Sequence, residues 1–281
     1  MINRWIGIAT LALMLSVNAA LWIRDVAPDW YAGAPPTARA LHLPPGGVLN
    51  VQLGLFDEEG RRIGYAWSCS SRDEFLVKVQ HRTVIRSLKL PGDVVIPMIR
   101  IDTDLSYHGR NMLDELHIRV LGLGAQINLR GAFYPPDHFP CQWQVGAQRG
   151  EFDLPAETTR ALGDVIRPFD GMTGLTVGQS WRLNLLNPLA GVVPDWGARF
   201  MANQSNVVRV SGIERMNYRG KVVDAFVLEA DKIRAWMTSD GHLIRQEFEL
   251  PVIGRLLLID EPYDDQTRES VLREAWLKTS G

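Results

Sequence analysis

The sequence predicts a mainly β protein: an antiparallel curved sheet or half-barrel with one central short helix and a C-terminal helix, preceded by an N-terminal transmembrane helix. Three observations predict it. Runs of alternating apolar and polar residues fill most of the chain beyond residue 47. Turn-forming Gly, Asp and Asn clusters punctuate them. Helical periodicity in this part is confined to one stretch midway and one at the end. Alternation gives each strand one buried and one wet face, which suits an antiparallel sheet curved over a helix or a cavity.

The strands begin at Val48–Phe56, followed by the turn Asp57-Glu58-Glu59-Gly60 and a second run over Ile63–Ser68. Phe75–Ile85, Val94–Tyr107, Leu116–Leu123, Gln126–Tyr134 and Gln142–Leu154 continue the series. Ala161, Leu162, Val165 and Ile166 then mark a helix over Ala156–Ile166, which Pro168 ends. Strands resume at Ser180–Leu186, Val207–Ile213, Val222–Glu229, Arg234–Thr238, His242–Leu250 and Arg255–Ile259. Ser239-Asp240-Gly241 is the strongest hairpin signal among them. The last element, Thr267–Lys278, places Val271, Leu272, Ala275 and Trp276 on one helical face behind Asp264 and Asp265 as caps.

The amino terminus carries a different signal. Trp5–Ile23 holds no charged residue and is flanked by Arg4 and Arg24, close to the length a bilayer-crossing helix needs. Trp5 and Trp22 stand at its ends, where indoles favour the headgroup region. The alternative is a cleaved signal with Val17-Asn18-Ala19 as the processing site; both readings export the protein. Asp25–Gly47 follows with five of the sixteen prolines, a semi-rigid spacer unless Trp30, Tyr31 and Leu41 fold it onto the domain. The organisation is thus 1–24 anchor, 25–47 spacer and 48–281 β-rich domain.

Charge excludes one class of partner. The chain carries 30 Lys+Arg and 32 Asp+Glu, a net −2, which is no footprint for nucleic acid. With only two cysteines, neither a disulfide-rich scaffold nor a four-cysteine zinc site is available.

Leu53-Gly54-Leu55-Phe56, a turn, then Arg62-Ile63-Gly64-Tyr65-Ala66 resemble the opening of an uncharacterised bacterial exported β-domain that also precedes transglutaminase-like domains in membrane-anchored proteins. Gly178-Gln179-Ser180-Trp181, Asn187-Pro188 and Trp236–Arg245 are similar to its later stations. More distantly, the chain resembles periplasmic half-barrels of the lipoprotein-carrier type, which implies acyl-chain binding on a concave face. No catalytic residues, and no cofactor, come with either resemblance.

Several residues invite chemistry. Cys69 and Cys141 are a disulfide candidate; the bridge would close a loop of about 73 residues and stabilise by roughly 4 kcal/mol, against two buried free thiols. Cys141 as a nucleophile lacks an evident activating histidine. Asp137-His138-Phe139-Pro140-Cys141 has a His-x2-Cys spacing without the second ligand pair a structural zinc needs, so no metal is expected. Asp102 with Asp104, and Glu229 with Asp231, share strand faces as a glycosidase pair would, or simply decorate solvated strands. Trp67, Trp143, Trp181 and Trp236 fall in strands, as core fillers or as the lining of a ligand cavity. The apolar stretch Leu185–Met201, with Trp196, reads as a packed crossover or a lid. The expected function is a non-catalytic, membrane-anchored periplasmic binding or accessory module for a hydrophobic, lipid-like ligand or an envelope partner protein. The expected location is the bacterial inner membrane as a single-pass protein, with release from the membrane if the signal is processed. A structural subunit of an envelope complex, and an exported hydrolase using Cys141 or a carboxylate pair, are the alternatives.

Overall fold

The alternating runs form strands that pair with their neighbours in chain order. A computed structural model describes Met14, Ser16, Gly33, Pro36 and residues 43–90, 94–108, 112–122, 126–135, 138–155, 172–183, 206–230, 232–250 and 254–279. The first meander is β1 (Val48–Phe56), β2 (Arg62–Arg72), β3 (Leu76–Leu90), β4 (Val94–His108), β5 (Met112–Leu121), β6 (Ile127–Ala132), β7 (His138–Val145) and β8 (Gln148–Pro155). The second is β9 (Ser180–Leu183), β10 (Asn206–Tyr218), β11 (Lys221–Ala230), β12 (Ile233–Met237), β13 (Leu243–Leu250) and β14 (Gly254–Glu261). A helix, α1 (Asp265–Thr279), ends the chain. The run expected as one strand over Gln142–Leu154 is two, because Gly146, at φ 57°, reverses the chain between β7 and β8.

The strands make one antiparallel 14-stranded sheet in the order β8-β7-β6-β5-β4-β3-β2-β1-β14-β13-β12-β11-β10-β9. Sequential strands pair, and β14 returns to pair with β1 over Gln52–Phe56. That is the connectivity of an up-and-down barrel with one pairing missing, between β8 and β9. Four register shifts, at Leu55/Phe56, Ser106/Tyr107, Val210/Gly212 and Trp236/Met237, supply local bends.

One face of the sheet is buried almost from edge to edge. Leu53, Ala66, Ile85, Ile99, Val120, Ile127, Val208, Leu228, Ala235, Leu243 and Leu258 belong to a single cluster, and Trp181 on the edge strand β9 is wholly buried in it. Val79, Leu105, Leu116, Leu129, Phe139 and Cys141 continue the same face toward β8. Met172 and Leu175, from the segment before β9, also pack into this face, which lies on the inside of the curved sheet. The other face carries α1. Val271 and Ala275 pack onto Trp67, Val84 and Met98. Asp264 caps the helix, accepting from the main-chain N–H groups of Gln266 and Thr267. Asp265, expected as a second cap, instead accepts from the Tyr263 hydroxyl at 2.9 Å.

The spacer is tied down at two points. The Gly33 N–H donates to the Ser180 carbonyl at 2.8 Å, in a parallel bridge on the outer edge of β9. Arg72, at the end of β2, exchanges hydrogen bonds with Leu43, Gly46 and Gly47. Among the described residues no helix is long and apolar enough to cross a membrane. Apart from Met14 and Ser16, the expected helices over 5–23 and 156–166, and the apolar stretch 185–201, lie outside the described residues, as do Trp30, Tyr31, Leu41 and Asp137.

Candidate ligand-binding site

The four strand tryptophans do not converge. Trp67 lies on the helix side, stacked on Tyr65 with centroids 5.2 Å apart, its indole N–H donating to Gln52 Oε1 at 2.8 Å. That same Gln52 oxygen accepts from the Asp264 N–H, which joins the helix start to β1. Trp236 is buried in a separate cluster with Ala225, Val227 and Ile244. Its Nε1 donates to Glu214, and the guanidinium groups of Arg234 and Arg245 lie over its ring. Trp143 and Trp181 alone belong to the inner core.

The cysteines are unbridged in the structure. Cys69 is on β2 and Cys141 on β7, five strands apart in the sheet. Cys141 points into the inner apolar cluster, whereas Cys69 shares the opposite face with Trp67. Side chains so placed cannot approach within bonding reach. Burial pushes the Cys141 thiol up to about 12, and Asp153 adds to the rise. Its hydrogen-bond partner is the Phe139 carbonyl, not an imidazole. An activated nucleophile needs the opposite environment.

The paired carboxylates are committed to arginines. Asp102, nearly buried, meets Arg100 at 2.9 Å and Arg82 at 3.7 Å, and Asp104 takes Arg82 at 2.6 Å. Glu229 pairs with Arg234 at 3.4 Å, while Asp231 lies outside the described residues. Among the described residues no three or more His, Cys, Asp and Glu side chains gather as metal ligands would. His138 faces Asp153 on the exposed rim of β7 and β8.

What the sheet does bring together on its inner face is a set of buried polar side chains. Cross-strand register places Ser68 opposite His81, and His81 opposite Thr103. Thr83 and Ser70 flank this row on the same face, two residues along their strands. Gln246, wholly buried, faces inward from β13 opposite Leu258. The row separates two apolar regions, one around Leu53 and Ile99 and the other around Leu116 and Phe139. An apolar lining with a few inward polar groups is the chemistry of a site for an amphipathic molecule.

Two features went unread in the sequence. The first is a polar knot where the β10–β11 turn meets β14. Asp260 Oδ2 accepts from the Tyr218 hydroxyl at 2.6 Å and from Arg219 at 2.7 Å, and its Oδ1 lies 3.0 Å from His242 Nε2. Burial pushes this carboxyl up, but His242, Tyr218 and Arg219 together outweigh it and hold it below the usual carboxylate range. Burial and Asp260 push the Tyr218 hydroxyl upward. The turn is tight: Arg219 and Gly220 both have positive φ, 51° and 76°. No local sequence signal pairs positions this far apart. The second is a cleft of about 630 Å³ on β6–β8, lined by Asn128, Arg130, Gln142, Trp143, Gln144, Arg149, Gly150 and Glu151. By register Trp143 and Gly150 belong to the inner face and the other six lining residues to the outer one.

Comparison with known proteins adds little to this geometry. No family model matches the chain. No curated protein matches it either. A solved structure that matches is a redesigned β-barrel, mFAP1, bound to DFHBI, at 15% identity over 42% of this chain and 96% of that one, with a TM-score of 0.15.

Proposed function

We propose that the chain is a membrane-anchored, exported binding or accessory module that holds a hydrophobic ligand with a hydrogen-bonding head on the inner face of its curved sheet. The observation that carries this reading is the row Ser68, His81 and Thr103, set among apolar side chains on a face buried along most of the sheet. A structural core gains nothing from polar side chains there, whereas a ligand carrying one polar group gains orientation from them. The gap between β8 and the Gly33 bridge on the outer edge of β9 offers a route to this face that breaks no strand pairing among the described residues. The uncharged stretch Trp5–Ile23 supports the anchor and export, and with them a periplasmic or extracellular place for the domain. The likeness to exported β-domains ahead of transglutaminase-like domains, and to lipoprotein-carrier half-barrels, belongs to the same proposal. The hydrolase alternative has little to draw on, because Cys141 is a buried thiol and Asp102 and Asp104 are neutralised.

Titrating the full chain in detergent with dansylundecanoic acid tests the reading. Saturable binding with a Kd of about 1 μM is expected, weakened about tenfold by His81→Leu. Thr83→Val, a smaller change on the same face, is expected to weaken it by a lesser factor. Absence of saturable binding, or binding that neither substitution alters, would overturn it.

A further inference from the structure

The cleft on β6–β8 faces away from the inner polar row, and its lining has a chemistry of its own. Register sets six polar side chains in two cross-strand rows, Asn128–Gln144–Arg149 and Arg130–Gln142–Glu151. Neighbours within a row stand about 5 Å apart and the rows about 7 Å apart. The lining is therefore a regular grid of planar amide, guanidinium and carboxylate groups, while register turns Trp143 and Gly150 to the opposite, inner face. Position 150 carries no side chain, and the indole fills the space left. A Cβ there would stand 2.5 Å from Trp143 Cε2 and Nε1.

Internal bonds use only part of the grid's capacity. Gln142 donates to Glu151 at 3.0 Å, Gln126 donates to Asn128 at 3.1 Å, and Gln144 donates to the Gly146 carbonyl at 3.1 Å. Arg130 reaches His117 at 3.4 Å. These bonds leave the Gln142 and Gln144 carbonyl oxygens as acceptors, and the Asn128 amide N–H groups and most of the Arg130 fork as donors. The matching ligand offers both donors and acceptors at regular intervals. A bare anion does not, and Glu151 repels it. Sugar hydroxyls do both at every ring. The strand spacing of about 4.8 Å is also close to the rise of one pyranose in an extended chain.

We propose that this cleft is a second binding site, which takes a hydroxyl-rich oligosaccharide laid across β6, β7 and β8. The site is independent of the inner face and survives if that reading fails.

Isothermal titration of the full chain, in a detergent without a sugar headgroup, with chitohexaose, cellohexaose and maltohexaose decides it. At least one is expected to bind with a Kd of about 0.1 to 1 mM. Arg149→Ala and Gln144→Ala, both surface changes, are each expected to weaken that binding by about fivefold or more. Arg215→Ala, in the other meander, is expected to leave it unchanged. Far-UV circular dichroism confirms that the variants stay folded. No binding of any of the three up to about 10 mM would overturn the proposal. So would affinity that both cleft substitutions leave intact, or displacement of the bound sugar by inorganic phosphate at equal concentration.

Discussion

Asp260 shows how one side chain sets the behaviour of a region. Its carboxylate is almost fully enclosed and meets Tyr218, Arg219 and His242, which come from two different turns. Neutralising it leaves Arg219 without its counter-charge and weakens the charge-assisted hydrogen bond from Tyr218. Asp260→Asn is therefore expected to cost about 2 to 3 kcal/mol in urea unfolding at neutral pH; the half-exposed Arg219 keeps the figure below that of a wholly buried pair. Because the folded carboxyl titrates below its ordinary 3.8, the unfolded chain binds its proton first as pH falls. The stabilisation is full above that ordinary value and is lost as pH drops through the lower, folded one. Unfolding curves between neutral pH and pH ~3 should lose stability in that window, and the slope should flatten in Asp260→Asn. An unchanged slope would mean that the knot contributes nothing. None of this is legible locally: Tyr218, Arg219, His242 and Asp260 stand far apart in the chain, and only the assembled sheet brings them together.

At the scale of elements, alternation located most strands and turn chemistry located the hairpin at Ser239-Asp240-Gly241, where Gly241 has φ 82°. A Cβ at Gly241 would stand 2.6 Å from the Met172 carbonyl oxygen, so glycine is required there twice over. What alternation could not assign was the wet face. In β2, Tyr65 and Trp67 look buried and Ala66, Ser68 and Ser70 look solvated. Both faces are buried, one beneath α1 and the other on the inside of the curved sheet, so Ser68 is as enclosed as Trp67. The helix shows the complementary error. Val271 and Ala275 are buried as the period predicts, but Trp276, expected on the same face, stands 49% exposed with Arg100 over its ring. The two tryptophans should separate in thermal or urea unfolding. Trp67→Ala empties the seat beneath α1 and removes one of the two donors to Gln52 Oε1, an expected loss of about 3 to 5 kcal/mol. Trp276→Ala should cost no more than about 0.5 kcal/mol. Equal losses would contradict the docking of α1 described above.

For the molecule as a whole, the sequence supports a curved antiparallel sheet but not its closure order. Two meanders run outward from the β1–β14 pairing to their far strands, β8 and β9, and Gly33 bridges the outer edge of β9. That architecture leaves one continuous inner face, and the polar row crosses it near the middle of the first meander. The candidate tryptophans missed this because they marked volume, not convergence: Trp67 and Trp236 serve opposite-face packing, and Trp143 and Trp181 fill the inner core. Serine, threonine and a lone histidine on alternating strands carry no motif, so only the assembled sheet gives them meaning. The account stands or falls on whether that face receives a ligand. Native mass spectrometry of the full chain, purified from the cell envelope in mild detergent, tests this most directly. The account predicts a retained non-covalent adduct in the lipid mass range that His81→Leu diminishes. A clean apo mass for the wild-type chain, under conditions where a carrier control keeps its lipid, would contradict it.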